Sequence, residues 1–259
     1  MREAEHPVLN SWHAGSGPPL VLLHGLFASL SSWLGVARRL ARDFAVYAVD
    51  LRNHGGSFHS PEFNYPAMAA DVAAFLDARG LARVHLVGHS MGGKVAMQFA
   101  ADFPARLARL VVVDMAPRRY PPALDTLFDA VAGLDPAAYT DRAAVVAALA
   151  DRVPCLMTRR FLAKNLVRGP DGRLAWRIGL DGIDANRSGI YAEVAPGERL
   201  PHPMLLVVGG LSDYVTAADG QRMRRLFPNL RIVVVPDAGH FVHVDAPDTF
   251  CRVMRDFLK

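Results

Sequence analysis

The 259-residue sequence predicts an α/β fold: a mostly parallel central sheet flanked by helices, with a helical cap inserted before the last two strands. Three observations carry this. Short, wholly apolar runs recur, each ending in a glycine or polar residue and each followed by a helix-capable segment, as expected of strands buried on both faces. The rhythm breaks between about Arg119 and Leu200, where helical stripes replace strand runs. It resumes at His202, so the middle region reads as an insertion at the ligand-binding edge of the sheet, where added segments cost little. The expected division is a core over 1–118, a cap over 119–200 and the rest of the core over 201–259.

Taken in order, "PVLNSWHAGSGPP" offers one strand and a turn-rich stretch, with any leading hairpin short or absent. "PLVLLHG" (19–25), "FAVYAVD" (44–50) and "VHLVGHS" (84–90) supply buried strands. Met68, Val72, Phe75 and Leu76 form the apolar stripe of one helix, and Val95, Ala96, Phe99, Ala100 and Phe103 that of another, which Pro104 ends. "LARLVVVDMAP" (107–117) is the next strand. In the insertion, Leu124, Leu127, Phe128 and Val131, then Val145, Val146, Leu149 and Val153, mark helices, and "PDGRLAWRI" (170–178) a turn with an extended arm. "HPMLLVVGG" (202–210) and "LRIVVVPDAGH" (230–240) return to the sheet. A final helix places Phe250, Val253, Met254 and Phe257 on one side, with Pro247 near its start.

Composition narrows the function classes. The net charge is +4, but the basic residues alternate with aspartates and alanines, and the groups "PRRY" and "TRRFLAK" lack the aromatic interleaving of a nucleic-acid stacking surface. Cys155 and Cys251 are too few for a disulfide framework or a thiolate metal site. No apolar run approaches the roughly 20 residues that cross a bilayer, and Met1–Asn10 is polar, unlike a secretory signal. Cytoplasmic residence is the expectation. No H-E-x-x-H, no G-x-G-x-x-G after a strand and no phosphate-cradling "GKS" or "GKT" is present, so neither metal nor organic cofactor is expected.

The chemistry gathers at "GHSMG" (88–92), a G-x-S-x-G motif with an apolar strand before it and an amphipathic helix after it. A strand turning that sharply into a helix strains its central residue and leaves no room for side chains at Gly88 and Gly92. The turn lifts the Ser90 hydroxyl clear of the sheet at a helix N-terminus, where backbone N–H groups favour developing negative charge.

A serine hydroxyl needs a neighbouring imidazole to accept its proton. Among ten histidines, His240 follows the last apolar run and so reaches the same sheet edge as Ser90. His243 reads as a packing residue, and the His89 side chain should project away from the serine. The acid should lie between serine and histidine at a strand end. Two aspartates qualify: Asp114, which closes "LVVVD", and Asp213 in "GGLSDYV". Position alone leaves both open. "LLHGL" (22–26) brings a glycine to the end of an early strand, so the Leu26 and Met91 N–H groups form a plausible oxyanion-hole pair, with Phe27 as the alternative contributor. His24 is expected to hydrogen-bond this loop. Phe27, Asn53 and Ser212 are candidate substrate contacts, although a loop such as "RNHG" more often locks early helices. Phe128, Phe161, Trp176 and Tyr191 could line an acyl pocket or simply pack the cap.

The chain resembles an α/β-hydrolase over essentially its full length, within the small-esterase group that includes bacterial YbfF-type and mammalian ABHD11-type proteins. The matching segments are "LLHGLFAS", "VDLRNHGGS", "NYPAMAADV", "LVGHSMGGKVAM", "VVVDMAP" and "DAGHFVH". The resemblance implies the α/β-hydrolase fold and a serine hydrolase acting on carboxylic esters or thioesters, with Ser90 and His240 as nucleophile and base. It also implies Asp114 as the acid, with serine usual at the place of Ser212; Asp213 departs from that pattern, so its place as an alternative or auxiliary acid, or as a polar group beside His240, stays open. The expected partner is a small-molecule acyl ester or thioester. The alternatives are a carbon–carbon bond hydrolase or cofactor-free perhydrolase using the same triad, and a noncatalytic binding protein on this scaffold.

Overall fold

The computed structural model describes residues 7–194 and 199–259. Most of the polar N-terminal segment, residues 1–6, and residues 195–198 of the expected cap lie outside the described residues. Seven strands form the main sheet: β1 (Ser11–Ala14), β2 (Pro19–Leu23), β3 (Ala45–Val49), β4 (Val84–His89), β5 (Leu107–Val113), β8 (Met204–Gly209) and β9 (Leu230–Val235). Their order is β1-β3-β2-β4-β5-β8-β9, and every pairing is parallel except that of β1 with β3. The first strand therefore pairs with the edge of the sheet and makes no hairpin with its sequence neighbour.

Alternation along the strands fills both faces. Val21, Leu23, Leu86, Val112 and Leu206 enter one core with α2 (Tyr65–Ala78), α3 (Met91–Asp102) and Met223 of α9 (Ala217–Leu226). Leu20, Leu22, Val87, Val111 and Leu205 enter the other with α1 (Leu34–Leu40) and α11 (Pro247–Leu258). Polar residues would be costly on either side, which is why these strands read as unbroken apolar runs.

From β2 the chain crosses to β3 on one side, and β4 then returns to β2 on the other. The helices that follow β2 and β4 leave on opposite faces, so a crevice opens between the carboxyl ends of these two strands. "HGL" and the elbow serine sit at those ends.

Between β5 and β8 the chain carries α4 (Asp125–Ala132), α5 (Arg142–Ala148), α6 (Leu156–Ala163), α7 (Leu180–Ala185) and α8 (Arg187–Ile190). The expected turn and extended arm is a hairpin of β6 (Leu166–Arg168) with β7 (Leu174–Trp176). The two ends of this insertion close into a neck: Tyr120 N–H donates to the Tyr191 carbonyl (2.9 Å) and Val194 N–H to the Pro117 carbonyl (2.8 Å). Lys94 of α3, buried beneath the neck, donates through Nζ to the carbonyls of Arg118 and Ala192. No helix among the described residues is long and apolar enough to cross a membrane.

Candidate active site

The elbow is as tight as its glycines suggest. Ser90 has φ 53° and ψ −121°, a backbone conformation costly for any L residue. A Cβ on Gly88 would lie 2.0 Å from the Gly92 carbonyl oxygen, and one on Gly92 2.5 Å from that of Leu23. The turn is fixed by Ser90 N–H donating to the Val113 carbonyl at 3.1 Å and Gly93 N–H to the Ser90 carbonyl at 2.8 Å. As the first residue of α3, Met91 carries an N–H that the helix cannot pair with itself.

Geometry separates the two candidate aspartates. His240 Nδ1 lies 2.8 Å from Asp114 Oδ2. Asp114 is fully buried at the end of β5, also with positive φ (50°), and its N–H is anchored on the Val207 carbonyl at 2.8 Å. Gly209 N–H donates to its Oδ1 at 3.1 Å, and the Ser212 hydroxyl donates to its Oδ2. Three donors converge on this side chain, an arrangement that suits a carboxylate, which only accepts. Asp213 is exposed and does not bond to the imidazole. The partner of the imidazole therefore comes from the end of β5, which pairs with β4, and not from the loop after β8 that carries Asp213.

The Ser212 hydroxyl is thus engaged by Asp114. Asn53 is likewise engaged within the protein: it is fully buried at φ 62°, donates through Nδ2 to the Ser60 carbonyl (2.9 Å) and accepts the Ser60 N–H on Oδ1 (2.7 Å). Its own carbonyl accepts the N–H of Gly179 from the insertion at 2.9 Å. Beside it Arg52 makes a two-pronged ion pair with Asp71 (2.5 and 2.8 Å), so "RNHG" locks onto α2 through the aspartate of "YPAMAAD".

Phe27 is removed from the oxyanion pair. Its N–H donates to His54 Nε2 at 3.2 Å and its carbonyl accepts from Asn165 Nδ2 at 2.7 Å, while its ring packs edge-on against Phe128. Ala28 N–H is taken by the Gly25 carbonyl (3.1 Å). Leu26 is left as the loop amide without an intramolecular acceptor among the described residues. The loop runs close to the elbow: a Cβ on Gly25 would stand 3.2 Å from Ser90 Cβ. His24 holds this loop as expected. It accepts the Leu51 N–H on Nε2 (3.0 Å), which makes Nδ1 the protonated nitrogen, donating to the Gly25 carbonyl (2.8 Å).

His89 donates from Nε2 to the His240 carbonyl at 2.9 Å. His243 is buried and stacks on Trp33 with ring centroids 4.0 Å apart. Of the four insertion aromatics, Phe128 and Phe161 reach the site's loops, the latter 5.6 Å from Phe241. Trp176 and Tyr191 instead hydrogen-bond within the insertion, to the Leu134 carbonyl and to Asp125.

The sequence reading missed Tyr214, whose ring lies parallel to that of His240 with centroids 3.7 Å apart. The signal was available: it is the aromatic residue directly after Asp213, in the loop already weighed for the acid.

Burial holds several of these histidines neutral. Desolvation depresses His24, takes His54 down to about 3 with help from His24, and takes His243 down to about 3 with help from His240. Once unfolded, these rings bind protons near pH 6.5, so stability is full above that value and is lost as pH falls from 6.5 toward 3. Each group contributes a slope of at most about 1.4 kcal/mol per pH unit. Urea unfolding between pH 7.5 and 4.5 should show this decline, and His243→Phe, which keeps the stack on Trp33, should flatten it. A variant slope equal to the parent's would mean that His243 does not titrate on unfolding.

A strained serine, a histidine and a buried aspartate, gathered at the carboxyl edge of a parallel sheet, together with this topology define a hydrolase. The chain matches the α/β-hydrolase family over residues 20–253 and belongs to it. It is 38% identical to the sn-1-specific diacylglycerol lipase ABHD11 of Mus musculus over 93% of this chain and 81% of that one. It is 34% identical to esterase YbfF of Escherichia coli (strain K12), over 93% of each. A solved marine microorganism esterase superimposes with a TM-score of 0.94 at 34% identity, covering 97% of this chain and all of that one.

Proposed function

We propose that this hydrolase cleaves carboxylic esters or thioesters through an acyl-enzyme intermediate. The observation that carries the reading is the 2.8 Å bond from His240 Nδ1 to the buried Asp114, at the sheet edge that also presents Ser90. With Nδ1 engaged, Nε2 is the nitrogen available to the serine. Ser90 Oγ attacks the carbonyl carbon as His240 takes its proton, and the oxyanion is received by the Leu26 and Met91 N–H groups. Each such donor is worth about 3 kcal/mol of transition-state binding. The imidazolium then protonates the departing alcohol or thiol, giving the acyl-serine. Water, deprotonated by the same imidazole, attacks that ester, and Ser90 leaves with the proton returned. Asp114 holds the tautomer and offsets the charge on the ring throughout.

The insertion serves in this reading as a cap over the crevice, with Phe128 and Phe161 on the acyl side. The names of the relatives, esterase and lipase, favour ester bonds over carbon–carbon bonds. The test is a fluorophosphonate probe followed by p-nitrophenyl esters and acyl thioesters of increasing chain length. Stoichiometric labelling at Ser90 with turnover of at least one series is expected. Absence of labelling would point to a noncatalytic binder, and labelling without turnover of any acyl substrate would point to a different bond.

A further inference from the structure

Beyond the three residues of the proposed triad, we infer that Tyr214 is a positioning residue that sets the basicity of His240, and that Tyr120 at the neck of the insertion holds it there. The two rings are nearly parallel, 19° apart, with centroids 3.7 Å apart. The face of a phenol ring is the negative pole of its quadrupole, so a parallel imidazole gains more from it as a cation than when neutral. The inference rests on the reading of His240 as the base, whose cationic form exists only after it has taken a proton.

The ring is placed by its backbone. Tyr214 N–H donates to Ser212 Oγ at 3.3 Å, and the same hydroxyl donates to Asp114. The Tyr214 carbonyl accepts from Tyr120 OH at 2.8 Å, while that oxygen accepts the Ala116 N–H at 2.9 Å. One phenol therefore rivets the loop after Asp114 to the loop carrying Tyr214. Burial raises the Tyr120 hydroxyl to about 12, so it stays a donor through the working range. The titratable groups around the His240 ring are Asp114 just after β5, His89 of β4, His243 of α10 (Val242–Asp245), Asp245 of the same helix, which accepts the neighbouring Gly239 N–H, and Asp213 beside Tyr214.

The experiment uses Tyr214→Leu, which keeps apolar cover but removes the π face, Tyr214→Phe, which keeps both, and Tyr120→Phe, which removes the rivet. His240 is titrated by NMR in a Ser90→Ala background, and the acid limb of kcat/KM is measured with Ser90 present. Tyr214→Leu should lower the His240 midpoint by about half to one pH unit, the size of an exposed-to-partly-buried cation–π contact, and move the acid limb to lower pH by the same amount. Tyr214→Phe should return the midpoint to the parent value, and Tyr120→Phe should move it part of the way. A Tyr214→Leu midpoint equal to the parent's, or a Tyr214→Phe shift as large as that of leucine, overturns the inference. Because the NMR midpoint does not depend on turnover, failure of the proposed reaction would leave this result readable.

Discussion

Ser90→Ala is expected to lower turnover of a short p-nitrophenyl acyl ester by about 10⁴-fold or more, the scale seen when the nucleophile of a serine triad is deleted. The loss is chemical. Alanine retains the Cβ and removes only the oxygen, and the hydrogen bonds that fix the turn, from Ser90 N–H to Val113 and from Gly93 N–H to the Ser90 carbonyl, are backbone bonds that persist. The strained φ of 53° is no worse for alanine than for serine, so melting temperature and circular dichroism should match the parent within error. Residual rate over water should survive, because the Leu26 and Met91 amides and the crevice remain. The variant should also lose fluorophosphonate labelling entirely. Retention of most esterase activity would place the chemistry elsewhere in the chain and remove the triad as its explanation.

How far the site could be read in advance depended on whether a feature was local. The elbow was fully legible, since Gly88, Ser90 and Gly92 answer to contacts within a few residues or with the adjoining strand. The strands were legible because burial on both faces leaves apolar runs that few other structures explain. The aspartate that meets His240 was not: Asp114 and Asp213 both follow strands, and only the lateral order β4-β5-β8, a long-range pairing, brings Asp114 to the imidazole. The resemblance to known esterases, not the residues themselves, favoured Asp114. The protein partners of Ser212 and Asn53 were hidden for a related reason. Short polar side chains near a site look like ligand contacts in sequence, but both are spent on protein partners, one on Asp114 and one on the Ser60 backbone. The hairpin of β6 with β7 was half seen, because three-residue strands carry too little alternation to register.

The same long-range placement makes the acid a sharp point to probe. Asp114→Asn should reduce kcat/KM by about 10³–10⁴-fold, whereas Asp213→Asn should change it less than threefold. Asparagine suits the positive φ of position 114, being one of the residues that tolerates left-handed backbone, so folding should survive. Its amide nitrogen, however, is a donor, placed where the carboxylate met three donors: the Gly209 N–H on one side, the Ser212 hydroxyl and His240 Nδ1 on the other. If the amide oxygen stays with Gly209, the NH₂ faces His240 and the ring must present Nδ1 as acceptor, which moves its proton to Nε2, the nitrogen that has to receive the proton of Ser90. If the amide flips, a buried N–H opposes that of Gly209, at a cost of about 1–3 kcal/mol. Either arrangement takes away the base or weakens the scaffold, and the first also removes the buried negative charge that offsets the imidazolium. Steady-state kinetics on the two single variants decides the assignment: a larger loss for Asp213→Asn than for Asp114→Asn would transfer the role to the exposed loop.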